Sequence, residues 1–265
     1  MEMSVILPLL VKMGCAAMVV VLASLAVERL GPVIGALIAT LPVAGGPAYI
    51  FLAMEHGPDF IAVSTVAGYA SLIGQAMYQV AYIHIAPGRG TVVSLLASLS
   101  VWVVTVLAVR ATGCGFAVLA PLTFLAFIAA HLWVRRRIAW SGGPPPRRRW
   151  FDLPVRAGAV MLVTGSVILA GRFAGPGLAG LVAMVPTVFT SLILILQPRI
   201  GGRNTAAVVG SGLIGMVGFT GGLTFLHLAA MPLGNVLALS GALGVCVVWN
   251  ASLLAFQHGS ARRRR

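Results

Sequence analysis

Charge is what this chain has least of. Only 9% of its 265 residues are charged, and just five are acidic. A soluble domain cannot keep its surface wet with so few charges when 59% of its residues are hydrophobic. Carboxylates are missing from the middle of every long apolar run, and Glu28 stands at the end of one. That absence disfavours carboxylate proton relays and sodium sites built around a carboxylate. Lysine occurs once, as Lys12. The cysteines, Cys15, Cys114 and Cys246, are too far apart for metal-ligand spacing and read as small apolar packing residues. No metal or other cofactor is expected. There is no GxxxxGK[ST] phosphate loop, no HExxH, no GxSxG and no Ser-x-x-Lys, so the chain reads as a non-enzyme. The first apolar run has no basic segment before it, which predicts a retained first helix rather than a cleaved signal peptide.

What is present is apolar sequence in long stretches. Runs of about 20 apolar residues recur along the chain, the length needed to cross a bilayer. They are continuous rather than alternating, which selects helices over a barrel. The pattern predicts an all-α polytopic membrane protein of about nine transmembrane helices, roughly 7–27, 32–54, 59–84, 91–110, 113–134, 153–171, 176–197, 204–230 and 234–257. Connections are short, except for 135–152. There Arg135-Arg136-Arg137 and Arg147-Arg148-Arg149 flank a Gly-Gly-Pro-Pro-Pro stretch. The net charge of +13 lies in such clusters between spans, without interleaved aromatics. It predicts contact with lipid phosphates and no nucleic-acid partner. The positive-inside rule then predicts a multi-pass protein of a bacterial-type inner (plasma) membrane. It puts the N-terminus outside, the basic linker and Arg262 to Arg265 inside, and the hairpin Glu55-His56-Gly57-Pro58-Asp59 outside.

The chain also repeats itself. Gly31-Pro32, followed by an apolar turn and Pro42, returns about 144 residues later as Gly175-Pro176 and Pro186. Gly68 and Gly212, Gly74 and Gly218, and the cations Lys12 and Arg156 keep the same register. The predicted organisation is a first four-helix repeat over 1–110, a linker helix and basic loop over 111–152, a second repeat over 153–258, and a basic tail over 259–265. The single extra helix turns the second repeat upside down relative to the first, a common plan of secondary transporters.

Candidate site residues follow from this duplication. Pro42 and Pro186 lie about ten residues into their spans, where proline removes a backbone hydrogen bond. The result is either a kinked helix or a break that lines a cavity. Gly45 and Gly46 follow the first proline, and Thr187 and Thr190 follow the second. Lys12 and Arg156 either snorkel to headgroups or hold an anion, as joint ligands or as gates near opposite faces. His84 and His227 end the third helix of each repeat and are either interfacial caps or carriers of a coupling proton. Gln75 and Asn250 either link helices or line a path.

The second half resembles the GlpM-like inner-membrane proteins, which are small four-helix chains. The resemblance rests on Val155-Arg156, on Gly180-Leu181-Val182-Ala183-Met184-Val185-Pro186-Thr187 and on Trp249, with Val11-Lys12, Gly35 to Pro42 and Trp102 similar in the first half. It implies an all-helical inner-membrane protein and little chemistry. The chain departs from the pattern by fusing two copies and by Pro42-Val43 in place of Pro-Thr. A secondary transporter of a small metabolite is expected, the substrate being an anion if Lys12 and Arg156 are ligands. The alternatives are a flippase for a lipid or lipid-linked phosphate, and a non-transporting membrane partner protein. The expected partners are the lipid bilayer and a small-molecule substrate, and a homodimer is compatible.

Overall fold

The computed structural model describes residues 3–29, 45–135 and 149–262, and every regular element among them is helical. Pro42, most of the basic linker and the last three arginines lie outside the described residues. The elements are α1 (Met3–Arg29), α2 (Gly45–Glu55), α3 (Pro58–Ile85), a short 3₁₀ turn (Ala86–Gly88), α4 (Thr91–Ala111), α5 (Phe116–Val134), α6 (Asp152–Ala183) and α7 (Thr187–Arg262). Among them five, spanning Pro58–Gly88, Thr91–Ala111, Phe116–Val134, Asp152–Ala183 and Thr187–Phe256, are long and apolar enough to cross a bilayer. Large apolar side chains such as Leu96, Val104, Leu107, Leu125 and Val248 are exposed on the outer helix faces. A helix apolar all round is built for lipid, and the chain is an all-helical integral membrane protein.

Three glycines set the turns of the second half. Gly175, Gly201 and Gly234 have φ near +75° with extended ψ, a region essentially restricted to glycine. Each interrupts the helical ladder in one residue and sends the chain back on itself. Asp152 is thereby returned to Arg199, and Phe225 to Gly241. Gly175 also precedes Pro176, whose fixed φ suits a helix start. The first half turns more loosely, through Gly57-Pro58 at the start of α3 and through Gly113, which closes α4 in a left-handed conformation.

α3 is the centre. It packs against α4, α5, α6 and α7, and Tyr69, Tyr78 and Tyr82 on it are fully buried. The 202–233 segment of α7 runs antiparallel to it. Thr65 meets His227, Tyr69 meets Thr224, Gln75 meets Met216 and Ile83 faces Gly210. α1 and α6 pair in the same sense, with Met13 against Gly165 and Ala16 and Val20 against Val160.

Two contacts recur in the halves. A Cβ at Gly74 would press on Trp102 at 2.9 Å, and the Trp102 indole donates to the Ser71 carbonyl at 3.2 Å. A Cβ at Gly218 would collide with Trp249, whose indole donates to the Ile214 carbonyl at 3.0 Å. Small residues let two helix backbones approach, and the indole N–H is satisfied by a carbonyl in the same contact. Gly218→Ala is expected to push Trp249 off its carbonyl, and Gly234→Ala to strain the last turn at about 1–3 kcal/mol. Both should lower the melting temperature of the purified protein, whereas Gly244→Ala, with open space around it, should not.

Candidate functional site

The site is built from one face of α3. Ser64, Gly68, Ser71, Gln75, Gln79 and Tyr82 are spaced three, four or seven apart and fall on one stripe of the helix. At the level of Gly68 this stripe meets the interruption between α6 and α7. α6 ends at Ala183, the Met184 and Val185 amides fold back onto the Leu181 and Val182 carbonyls, and α7 starts at Thr187. The Thr187 amide donates to the Val185 carbonyl at 2.7 Å and the Thr190 amide to that of Pro186 at 2.9 Å. At Pro186 the helix is therefore broken rather than kinked.

The start of α2 comes to the same place. A Cβ on Gly45 would lie 3.6 Å from the Ala183 carbonyl oxygen and 3.4 Å from the Phe219 ring. Gly46 follows it, half-buried. A Cβ on Gly68 would lie 3.2 Å from Tyr49 Oη and 3.4 Å from Met184 Cγ. The break, the α2 start and the middle of α3 thus converge.

Polar groups here are buried and unequally satisfied. Tyr78 Oη shares a hydrogen bond of 3.1 Å with Thr190 Oγ1, which ties the first turn of α7 to α3. Gln75 reaches only the Met216 sulfur, at 3.5 Å. Tyr49 Oη faces Ser64, whose hydroxyl donates instead to the Ile61 carbonyl, and it has no hydrogen-bond partner. Gln79 is fully buried, and both its amide nitrogen and its oxygen are unpaired. Each such group costs about 1–3 kcal/mol when it gives up water for nothing.

His227 lies nearer one end of α3. The Thr65 hydroxyl donates to the Ala62 carbonyl at 2.6 Å, so it can only accept from the ring. His227 Nδ1 lies 2.8 Å from Thr65 Oγ1 and 3.0 Å from the Ala62 carbonyl, which puts the proton on Nδ1 and leaves Nε2 as the acceptor. The ring stacks on Phe116 of α5 at 4.0 Å. His84 is exposed near the opposite end of α3, so the two histidines stand in different settings. Asn250 is buried on the last segment of α7, next to Trp249.

An ion cluster closes each end of the stripe. At the α2 end, Glu55 pairs with Lys12 and accepts two bonds from Arg172, at 3.0 and 2.8 Å. Asn235 donates to the Ala53 and His56 carbonyls beside it. At the opposite end, Arg199 grips Asp152 in a two-pronged pair, one arm at 2.8 Å, and lies over the Phe151 ring. Arg156 adds its field to Asp152. There Gln197 accepts from Tyr82 at 2.8 Å and donates to the Arg89 carbonyl at 3.0 Å. Lys12 and Arg156 therefore sit at opposite ends, each beside a carboxylate. Among the described residues no group of three or more His, Cys, Asp or Glu is placed to hold a metal.

Comparison of the chain with protein-family models, with curated proteins and with solved structures finds no match.

Arg172 first, and Lys12 with it, hold the Glu55 carboxyl down at about 2 from its ordinary 4.5. A carboxyl depressed in the folded state stabilises it above its unfolded pKa and stops doing so once pH falls through the folded one. Partial solvent access screens the cluster and leaves about 1–2 kcal/mol. Glu55→Gln should therefore lower the melting temperature at pH 7, and the gap to the wild type should close as pH falls from 4.5 towards 2. The swap Lys12→Glu with Glu55→Lys should recover part of the loss, as a double-mutant cycle would measure.

Proposed function

We propose that this chain is a secondary transporter for a small molecule, working by alternating access. In this reading nine helices cross the membrane, helices one to four and six to nine form two inverted repeats, and the fifth, α5, links them. The antiparallel pairing of α3 with the 202–233 segment of α7 supports an inverted arrangement. So do the pairing of α1 with α6 and the recurring Gly-Trp contact. The GlpM-like resemblance is compatible with a duplicated four-helix unit.

One observation carries the proposal. A helix broken at Pro186 meets the start of α2 and a stripe of incompletely satisfied polar groups, and this meeting point is buried between two ion clusters. Irregular backbone at membrane depth is tolerated where it is enclosed by protein or lines a cavity. A transporter needs such a point and a closure on either side of it.

Lys12, Glu55 and Arg172 are assigned to the outer closure. Asp152 and Arg199, with Arg156 beside them, are assigned to the inner one. The arginine balance supports this orientation, because Arg89, Arg149 and Arg199 gather at one end while Glu55 and the neighbouring Asp59 lie at the other. Substrate would be held between, at Gly45, Gly46, Thr187, Thr190 and Gln75. His227, with its free Nε2, is the better placed of the two histidines to carry a coupling proton. The flippase and partner-protein readings draw on no particular contact.

The test needs no known substrate. Met184→Cys is made in a chain whose three native cysteines are replaced, and labelling by a membrane-impermeant thiol reagent is timed in right-side-out and inverted vesicles. Glu55→Gln should speed labelling several-fold from outside and slow it from inside, and Asp152→Asn should do the reverse. Equal effects on both sides, or no labelling from either side in any variant, would overturn the proposal.

A further inference from the structure

The unpaired groups say more about what is bound than about how it moves. Along the α3 stripe the buried groups whose hydrogen-bonding capacity is unused are Tyr49 Oη, opposite Gly68, then Ser71 Oγ, then both atoms of the Gln79 carboxamide. Gln75 adds an amide that is held only by a thioether. All of these are neutral. The inventory holds donors and acceptors together: the carboxamide offers N–H and C=O, and the phenol and hydroxyl can do either. The described cations nearest the ends of the stripe face carboxylates instead, Lys12 and Arg172 at Glu55 and Arg199 at Asp152.

A charge brought onto this stripe would give up water without meeting an opposite charge, and that is expensive. A neutral solute with its own donors and acceptors would instead satisfy groups that are otherwise stranded. We infer that the α3 stripe around Gln75 and Gln79 binds a small uncharged solute carrying amide or hydroxyl groups, and that it rejects the corresponding anions. This replaces the expectation of an anionic substrate drawn from Lys12 and Arg156, whose places are at the closures. The inference rests on the transport proposal for the route of the solute, but the binding site stands or falls alone.

Tyr78 and Tyr82 do not belong to the recognition set, although they are neighbours. Their hydroxyls are committed to Thr190 and to Gln197. They hold the first turn and the end of the 187–200 segment against α3. Gln79 is the cleaner probe, because its side chain makes no hydrogen bond that a substitution would break.

Thermal unfolding of the full purified chain tests the inference with matched pairs of solutes: acetamide against acetate, glycerol against glycerate, and glucose against gluconate. At least one neutral member should raise the melting temperature in a saturable way, since binding to the folded state stabilises it, while its anionic partner should not. Gln79→Leu should abolish that rise. In the absence of solute it should also melt at least as high as the wild type, because a stranded amide has been replaced by an apolar group of similar length. Gln79→Glu, which adds a charge at the same place, should abolish the rise and melt lower.

Stabilisation by the anionic members, or by none of the neutral ones, would overturn the inference. So would a Gln79→Leu chain that responds normally or melts several degrees below the wild type, since the side chain would then be structural. These results are separable from the vesicle labelling experiment. Alternating accessibility with anion binding would defeat only the solute class, and neutral binding without alternating accessibility would defeat only transport.

Discussion

A carboxamide or phenol carried into the middle of a bilayer has no water to turn to, and it must find its partners on neighbouring helices. α3 carries eight buried polar side chains through the interior, Tyr69, Tyr78 and Tyr82 with Ser64, Thr65, Ser71, Gln75 and Gln79, and the rest of the molecule is arranged around them. The 202–233 segment of α7 supplies His227, Thr224 and Met216, and the segment before it supplies Thr190 and Gln197. The lipid-facing helices need no such precision. α4 presents mostly apolar side chains outward and touches α3 through Trp102 and Val106, which both close on Gly74. A helix that is polar inside and wrapped by helices that are apolar outside reverses the arrangement of a soluble bundle, and for the same reason: each surface is matched to its solvent.

Close packing in this setting depends on removing side chains rather than adding them. Lipid tails compete with any apolar contact, so association between helices rests on shape and on a few directed bonds. The Gly-Trp contacts combine both. At Gly180 and Gly202 the approach is closer still, and each would-be Cβ runs into a backbone carbonyl, of Ser64 and of Ala86 respectively. These contacts bring α6 onto α3 and α7 onto the 3₁₀ turn that follows it, and between the two levels lies the stripe with Gln75 and Gln79.

Much of the fold is legible in the sequence because hydrophobic length and Gly-Pro punctuation are local signals. The predicted boundaries near 171–176, 197–204 and 230–234 enclose Gly175, Gly201 and Gly234, where the chain turns. A disturbance at Pro186 is legible for the same reason, since a proline deletes its own hydrogen bond wherever the chain goes, but a kink and a break read alike in the sequence. The pairing of charges is not legible. Lys12 meets Glu55 across two helices, and Glu55 reads in sequence only as a marker of the outer loop. Gln79 is hidden too, because a polar residue that bonds to a neighbour and one left without a partner look alike until the packing is known. The signal that would have raised it is its place on the Ser64–Tyr82 stripe, a spacing visible in the chain. Tyr49 has no such signal, as it faces the stripe from a separate helix.

The two ion clusters use opposite signs at matching places. Glu55 and Arg199 stand at the same position of the duplicated sequence, yet one is the carboxylate of its cluster and the other is a guanidinium. Two identical subunits could not do this, since a dimer of one short chain carries the same charge at both copies of every position. With both halves in a single polypeptide, each end can take its own polarity and its own strength. One end can then be tuned by substitution without altering the other, and a bias between the two faces of the membrane can be written into the chain itself. A chain that carries both copies can thus have a built-in direction that a symmetric dimer of one short chain would have to borrow from its surroundings.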